Sequence, residues 1–324
     1  MQGNILVTGG AGYIGSHVVK LLCDHDHNVI VFDNLSLGRP ENIDPRASFI
    51  EGDILSDQDL RKTFLNNIQL VFHFAAWKAA GESMIDPGKY ARNNICGTIN
   101  ILNQMVANRV HRIVFSSSAA VYGYPVYLPV DEQHPTNPAN YYGYSKLAIE
   151  QNLAWYDRLC GIQYAALRYF NATGYDIDGK IRGMEKNPAN LLPVVMEVAA
   201  GARKMMQVFG DDYDTPDGTC IRDYIHVSDL ADAHLRAMNY LSERGKSLVV
   251  NLGTGSGHSV LEMIRAAQEV TGREVRYEVT KRRKGDPKEL VASSESAYKL
   301  LDWQARYSDL ATIFKSMAGV YLTS

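Results

Sequence analysis

The sequence predicts an α/β protein, with a doubly wound parallel sheet joined to a smaller α/β lobe. Three observations carry this reading. Short apolar runs alternate with longer amphipathic stretches through the first half of the chain, as strands and crossover helices do. The first apolar run ends in a glycine-rich turn that opens a helix. Beyond residue 171 the alternation gives way to a loop rich in Gly, Asp and Lys, which suggests a domain crossing.

Asn4-Ile5-Leu6-Val7-Thr8 is short, apolar and β-capable, like a strand buried on both faces. Gly9-Gly10-Ala11-Gly12-Tyr13-Ile14-Gly15 then leads into a helix carrying Val18, Val19, Leu21 and Leu22. Glycine suits a tight turn that a ligand approaches closely, and a helix N-terminus offers free N–H groups and partial positive charge to a pyrophosphate. The spacing Gly9-x-x-Gly12-x-x-Gly15 is one residue longer at the front than the common Rossmann fingerprint, and glycine turns alone occur at many strand–helix junctions. The context strengthens it. A second strand, Val29-Ile30-Val31-Phe32, ends in Asp33, whose carboxylate can accept from an adenine ribose 2′-OH and would repel a 2′-phosphate. That order favours NAD over NADP. The plain alternative is a ligand-free strand–turn–helix with Asp33 as a turn residue or cap.

The alternation continues with Ser48-Phe49-Ile50-Glu51 before Gly52-Asp53-Ile54, then Leu70-Val71-Phe72-His73-Phe74, closed by Ala75-Ala76. Small residues at the C-terminal end of a strand leave room for a cofactor. A loop, Lys78–Ser83, precedes a helix from about Pro87 to Ala107, and His111–Phe115 is the next strand. It runs into Ser116-Ser117-Ser118-Ala119-Ala120-Val121-Tyr122-Gly123. After a proline-bearing loop, Tyr141-Tyr142-Gly143-Tyr144-Ser145-Lys146 opens another helix, and Gln163–Arg168 is the strand that closes this unit at Tyr169-Phe170-Asn171.

Further on come a helix from about Asn190 to Ala200 and a strand and helix, Arg222–Asp232, returning to the large sheet. Val249–Gly253, a helix Ser259–Thr271, a strand Glu274–Val279 and the basic stretch Arg282-Arg283-Lys284-Gly285-Asp286 follow. The expected organisation is a dinucleotide-binding domain of residues 1–171, with 222–247 returning to it, and a substrate domain of 172–221 and 248–324.

Bulk properties narrow the function. At 324 residues the chain can form one large or two modest domains, and a net charge of −3 gives no reason to expect nucleic acid or an anionic membrane as partner. Cys23, Cys96, Cys160 and Cys220 lie far apart, with no Cys-x-x-Cys pair or Cys/His cluster, so neither a metal nor a disulfide is expected. No signal peptide or membrane span is recognisable, and the cytoplasm is the default location.

Tyr142 and Lys146 are four apart on a predicted helix and so share a face. An ammonium beside a phenol lowers its pKa, and such a tyrosine can act as a general base toward a hydroxyl. Among 19 tyrosines about one such pair arises by chance, so position must decide. Tyr277 and Lys281 have the same spacing but lie on or beyond a predicted strand, where four residues rise roughly 13 Å. Tyr142 instead follows the strand ending in Ser118, which could bond the reacting oxygen. By spacing alone, a turn-capping serine run and a surface tyrosine fit equally well.

The glycine stretch, the serine run and Tyr142-x-x-x-Lys146, in this order, resemble the extended short-chain dehydrogenases/reductases. With Lys78–Ser83, Leu167–Asn171 and Arg222–Val227, they resemble more narrowly the UDP-glucose 4-epimerase family, over nearly the full length. The resemblance implies that NAD is held by Gly9, Gly12, Tyr13, Ile14, Gly15, Asp33, Asn34, Asp53, Ile54, Phe74, Ala75, Ala76, Lys78, Asn94, Tyr142, Lys146 and Phe170. It implies that Tyr142 takes the proton of a sugar 4′-OH, Lys146 tunes it and Ser118 assists. A UDP-sugar would sit on Ser118, Asn171, Asn190, Leu191, Arg222, Arg283 and Asp286. Two arginines suit a diphosphate and a carboxylate suits a ribose diol, although a surface ion pair at Arg222-Asp223 and a solvated basic face at Arg282-Arg283 explain those residues as well. It further implies UDP-glucose and UDP-galactose as substrates, Leu290 against the sugar 2-substituent with slower turnover of N-acetyl sugars, and a homodimer through the helices around 87–107 and 142–156. Trp77, Tyr141, Tyr144 and Ala292-Ser293 depart from the family pattern without removing a catalytic group. The rivals are a nucleotide-sugar 4,6-dehydratase or decarboxylase, or an inactive NAD-binding regulator. A dehydratase needs acid–base carboxylates where this chain has Ala119-Ala120, and a dead regulator usually lacks the tyrosine or the lysine.

Overall fold

The computed structural model describes residues 3–185, 188, 190–283 and 286–322. Six strands alternate with helices: β1 (Asn4–Thr8), β2 (Val29–Asp33), β3 (Ser48–Glu51), β4 (Ile68–His73), β5 (Arg112–Ser118) and β6 (Gln163–Tyr169). The helices between them are α1 (Tyr13–Asp24), α2 (Asp57–Phe64), the single turns α3 (Ala80–Ser83) and α4 (Pro87–Tyr90), α5 (Gly97–Ala107) and α6 (Tyr141–Cys160). The later strands are β7 (Asn171–Thr173), β8 (Met206–Phe209), β9 (Ile221–His226), β10 (Leu248–Leu252), β11 (Gly257–Ser259), β12 (Tyr277–Thr280) and β13 (Glu289–Leu290). The later helices are α7 (Leu191–Ala199), α8 (Val227–Arg244), α9 (Val260–Thr271), α10 (Glu295–Leu301) and α11 (Leu310–Tyr321).

Among the described residues, seven parallel strands pair in the order β10-β6-β5-β4-β1-β2-β3. The chain starts inside the sheet, winds outward to β3, then crosses back and winds the other way from β4. The strand order therefore reverses between β1 and β4, where the carboxyl ends of an α/β sheet leave a crevice. Both faces are covered, as the apolar strands require. Val18, Val19 and Leu22 of α1 join Leu230, Leu235 and Leu241 of α8 on one face. Leu60 of α2, Ile101 and Met105 of α5 and Ile149 and Leu153 of α6 cover the other. Three further helices, α7, α9 and α11, pack a separate apolar cluster that includes Val195, Met263 and Phe314.

Several expectations need correction. The domain boundary at 248 falls inside the sheet. β10 pairs in parallel with β6, Leu248 opposite Ala165, so the large unit extends past Leu252. Ala297, Leu301 and Trp303 also belong to the large unit's core. Conversely, β9 does not return to the large sheet. It pairs with β7, β11 and β13, and only α8 crosses back. The helix expected over 87–107 contains a π-helical segment, Ala91–Cys96, which carries the Asn94 amide that bonds the Trp77 backbone. The strand expected over 274–279 is the shorter β12, paired with β8, which the sequence reading did not recognise. β5 runs through Ser118, where the sequence reading ended that strand, and Ser118 Oγ also accepts from the Ala120 amide at 3.2 Å, so the serine run both closes the strand and caps the turn after it.

Candidate active site

The ends of β1, β4, β5 and β6 open on a cavity of about 680 Å³ at the switch point. The glycine turn forms one wall. Gly9 has φ +74°, and a Cβ there would lie 2.6 Å from the amide nitrogen of Ala75. A Cβ on Gly15 would lie 2.3 Å from the carbonyl oxygen of Gly9, so the first turn of α1 can sit this close to β1 only as glycine. The N-cap of α1 is Gly12, with no side-chain cap, and the first-turn amides of a helix lack intrahelical partners. These features fit a phosphate group of a dinucleotide. At the rim, the Asp33 carboxylate accepts from the Ala11 amide at 3.0 Å and the Leu35 amide at 2.8 Å, which fixes it beside the turn.

The opposite end holds Tyr142, Lys146 and Ser118. Asn140 caps α6 by accepting from the Gly143 amide at 2.9 Å, and the Tyr142 amide donates to Ser83 Oγ at 3.0 Å, so the start of the helix is held from two sides. Lys146 is buried, donates to the Ser116 carbonyl at 2.6 Å, and lies 5.8 Å from the centre of the Tyr142 ring. Burial raises the pKa of the Tyr142 phenol, and a hydrogen bond with Ser118 opposes that rise. Burial also pushes Lys146 down to about 7, against the pull of the Glu150 carboxylate. The expected lowering of Tyr142 by Lys146 is thus not what sets its pKa here: burial dominates, and the ammonium is drawn to Ser116. His73 beneath the site is held neutral, near 3, by burial and by the charge of Lys146.

The small lobe forms the remaining wall. Arg222 on β9 lies opposite Leu290 on β13, and its guanidinium is 3.9 Å from Asp286. Asn171, Asn190, Leu191, Arg222, Asp286 and Leu290 all line the cavity. The segment 181–185 crosses toward the large unit. Gly183 exchanges hydrogen bonds with the Asn42 amide, Arg39 donates to the Met184 carbonyl, and Lys78 pairs with Glu185.

Three expected residues stand off the cavity. Asp53 accepts from Asn34 at 3.0 Å. Asn94 is fully buried, where it bonds the Trp77 backbone and Ser145. Arg283 stacks its guanidinium 3.8 Å over the Phe209 ring. Every other residue expected to hold cofactor or substrate lines the cavity. Lys284 and Gly285 of the basic stretch lie outside the described residues. The sequence reading missed Lys89, which sits 3.8 Å over the Trp77 ring, and the buried pair Glu150–Arg168. Lys89 had no recognisable signal, but Glu150 follows Lys146 by four on the same helix face. Among the described residues there is no cluster of three potential metal ligands, and no helix is long and apolar enough to cross a membrane.

A glycine turn built for a dinucleotide and a tyrosine–lysine–serine group on one cavity define a nicotinamide-dependent enzyme. Residues 5–253 match the model of the NAD dependent epimerase/dehydratase family, and the chain belongs to that family. Within it, the chain is similar to UDP-glucose 4-epimerases. The enzyme of that name from Halalkalibacterium halodurans is 47% identical over 310 residues, 95% of this chain and 92% of the relative. The crystal structure of UDP-glucose 4-epimerase from Brucella ovis in complex with NAD has a TM-score of 0.94 at 46% identity, covering 97% of each chain. The Bifidobacterium longum enzyme in complex with NAD+ and UDP has a TM-score of 0.92 at 39% identity, covering 99% of this chain and 98% of that one.

Proposed function

We propose that this chain is an NAD-dependent isomerase that inverts C4′ of UDP-glucose and UDP-galactose. The observation that carries the reading is the placement of Tyr142, Lys146 and Ser118 between the glycine turn and the Arg222–Asp286 wall of one cavity. NAD, when bound, would supply a hydride acceptor for C4′ of the sugar and a hydride donor for the other face of the 4-keto sugar, so that no net redox change would result. The chain's own residues do the rest. The first-turn amides at Tyr13–Gly15 hold the pyrophosphate, and Asp33 accepts from the adenine ribose 2′-OH. Tyr142 takes the proton of the 4′-OH and gives it back, with Ser118 bonded at the same oxygen. Lys146, when charged, favours the phenolate. Arg222 meets the diphosphate and Asp286 the uridine ribose.

Ala119 and Ala120 line the cavity beside Ser118, where a dehydratase would need carboxylates, and this favours epimerisation. Trp155 and Leu159 on α6 and Val106 on α5 are exposed, and an apolar face of this kind supports pairing of two copies through these helices. Four separated free cysteines suit the cytoplasm. Incubation with UDP-galactose, with UDP-glucose followed by a coupled dehydrogenase, tests the activity. No UDP-glucose from a folded, NAD-bearing preparation overturns it. Light scattering tests pairing, and a monomer mass at micromolar concentration refutes it.

A further inference from the structure

Glu150 lies two turns beyond Tyr142 on α6 and is 6% exposed. Its Oε1 accepts from Ser117 Oγ at 2.5 Å and from Arg168 Nε at 2.9 Å, while Oε2 accepts from a second Arg168 nitrogen at 2.5 Å. Arg168 also donates to the Tyr122 hydroxyl at 2.9 Å, which donates to Asn251 Oδ1 at 2.6 Å. Ser117 and Tyr122 stand on either side of Ser118. In the sheet, Ser117 of β5 is opposite Arg168 of β6. The pair therefore grips the segment that presents Ser118 from both ends, and α6 ties that grip to Tyr142 and Lys146.

We propose that the Glu150–Arg168 pair positions the proton-transfer group, fixing Ser118 against Tyr142 and anchoring a carboxylate one helical turn beyond Lys146. This rests on the reading of Tyr142 as the acid–base residue. A buried ion pair is often replaceable by apolar residues at little cost in stability, so its contribution is better sought in geometry than in folding. Three successive turns in the N-terminal half of α6 meet the last residues of β5: Tyr142 with Ser118, Lys146 with the Ser116 carbonyl, and Glu150 with Ser117. The titratable and charged groups around Lys146 are Tyr142 and Glu150 on α6, His73 on β4, Arg168 and Tyr169 on β6 and, beyond Tyr142, Tyr90 on α4. Among these, Glu150 carries the negative charge that acts on Lys146.

The test uses Glu150→Gln with two gentler variants, Ser117→Ala and Tyr122→Phe, each of which removes one arm while leaving the ion pair in place. For Glu150→Gln, kcat falls about ten- to a hundredfold with little change in KM, as misplacement of reacting groups does. The gentler variants lose about three- to tenfold, the scale of one hydrogen bond. Without the carboxylate Lys146 loses its proton earlier, so the alkaline limb of the kcat–pH profile moves to lower pH in Glu150→Gln. The Tyr142 phenol, read as tyrosinate absorbance against Tyr142→Phe, ionises at higher pH because the Ser118 bond weakens. Variants with unchanged kcat, pH profile and phenol titration overturn the proposal, even where melting temperature drops. Should Glu150→Gln not fold, the two gentler variants decide. A wild type without turnover counts against the functional reading, and the phenol titration, which needs no turnover, still judges the clamp.

Discussion

The sheet-side wall and the small-lobe wall line one cavity, yet they are made by different means. The sheet wall is mostly backbone. Parallel strands end together, Gly9 and Gly15 let the turn close on β1 and Ala75, and Asp33 is held by two amides. The small-lobe wall is made of side chains from segments distant in sequence. Arg222 is brought against Asp286 by the pairing of β9 with β13, and Gly183 is clasped by Asn42 from the far side of the cavity. A wall of backbone is set by local rules, whereas a wall of side chains depends on which distant segments happen to pair. The first can serve a cofactor common to many enzymes, and the second can be altered to change the substrate without disturbing the first.

The largest effect is expected at Tyr142. Tyr142→Phe keeps the ring and removes the transferable proton, so turnover falls by about 10²–10⁴ while NAD remains bound. A Phe variant with more than half of wild-type turnover breaks the assignment. On the small-lobe wall, Leu290→Ser opens space beside the sugar. The kcat/KM ratio of N-acetylated to plain UDP-sugars then rises, within the about ten- to two-hundredfold that one apolar contact can discriminate. An unchanged ratio means that Leu290 is only an inward strand residue. Arg222→Ala removes a charge-assisted contact to the diphosphate and raises KM for the UDP-sugar by about ten- to a hundredfold, with NAD content of the purified protein unchanged. Loss of NAD from that variant would show that the two walls are not separable.

A smaller effect concerns stability. Burial lowers His73 and His226 to about 3 and His17 and His234 to about 4. All four folded values lie below the ordinary 6.5, so the unfolded chain binds more protons between these limits. The stability from keeping them neutral is complete above about pH 6.5 and is lost as pH falls toward 4 for His17 and His234 and toward 3 for His73 and His226. His73 and His234 lie beneath the sheet wall, whereas His17 and His226 lie at the seam with the small lobe, where His226 meets Ser316. Urea midpoints measured from pH 7.5 to 4.5 should therefore fall in a single transition. A flat midpoint would show that these histidines do not set the acid stability, and two separate transitions would show that the seam does not couple the walls.

Local pattern was enough to read the strand–glycine–helix start, Asp33 at the end of β2, and Tyr142 and Lys146 on one helix face, because each depends on neighbours within a few residues. The resemblance then supplied the small-lobe contacts that no local pattern specifies. The extent of the large sheet was not legible, because β10 reads like any short apolar run until it pairs with β6. β8 and β12 likewise became strands by pairing with each other. Asn94 carried no local sign that it would serve the Trp77 backbone, which is seventeen residues away and reached through a π-helical segment. The sequence by itself determined the class of fold, the turn for the cofactor and the tyrosine–lysine face, since these follow from periodicity, backbone freedom and helical spacing. Only the tertiary structure decided that burial rather than Lys146 dominates the Tyr142 phenol, and that Glu150 and Arg168 stand behind it. Desolvation and long-range hydrogen bonds come into being only when the chain has closed around these groups.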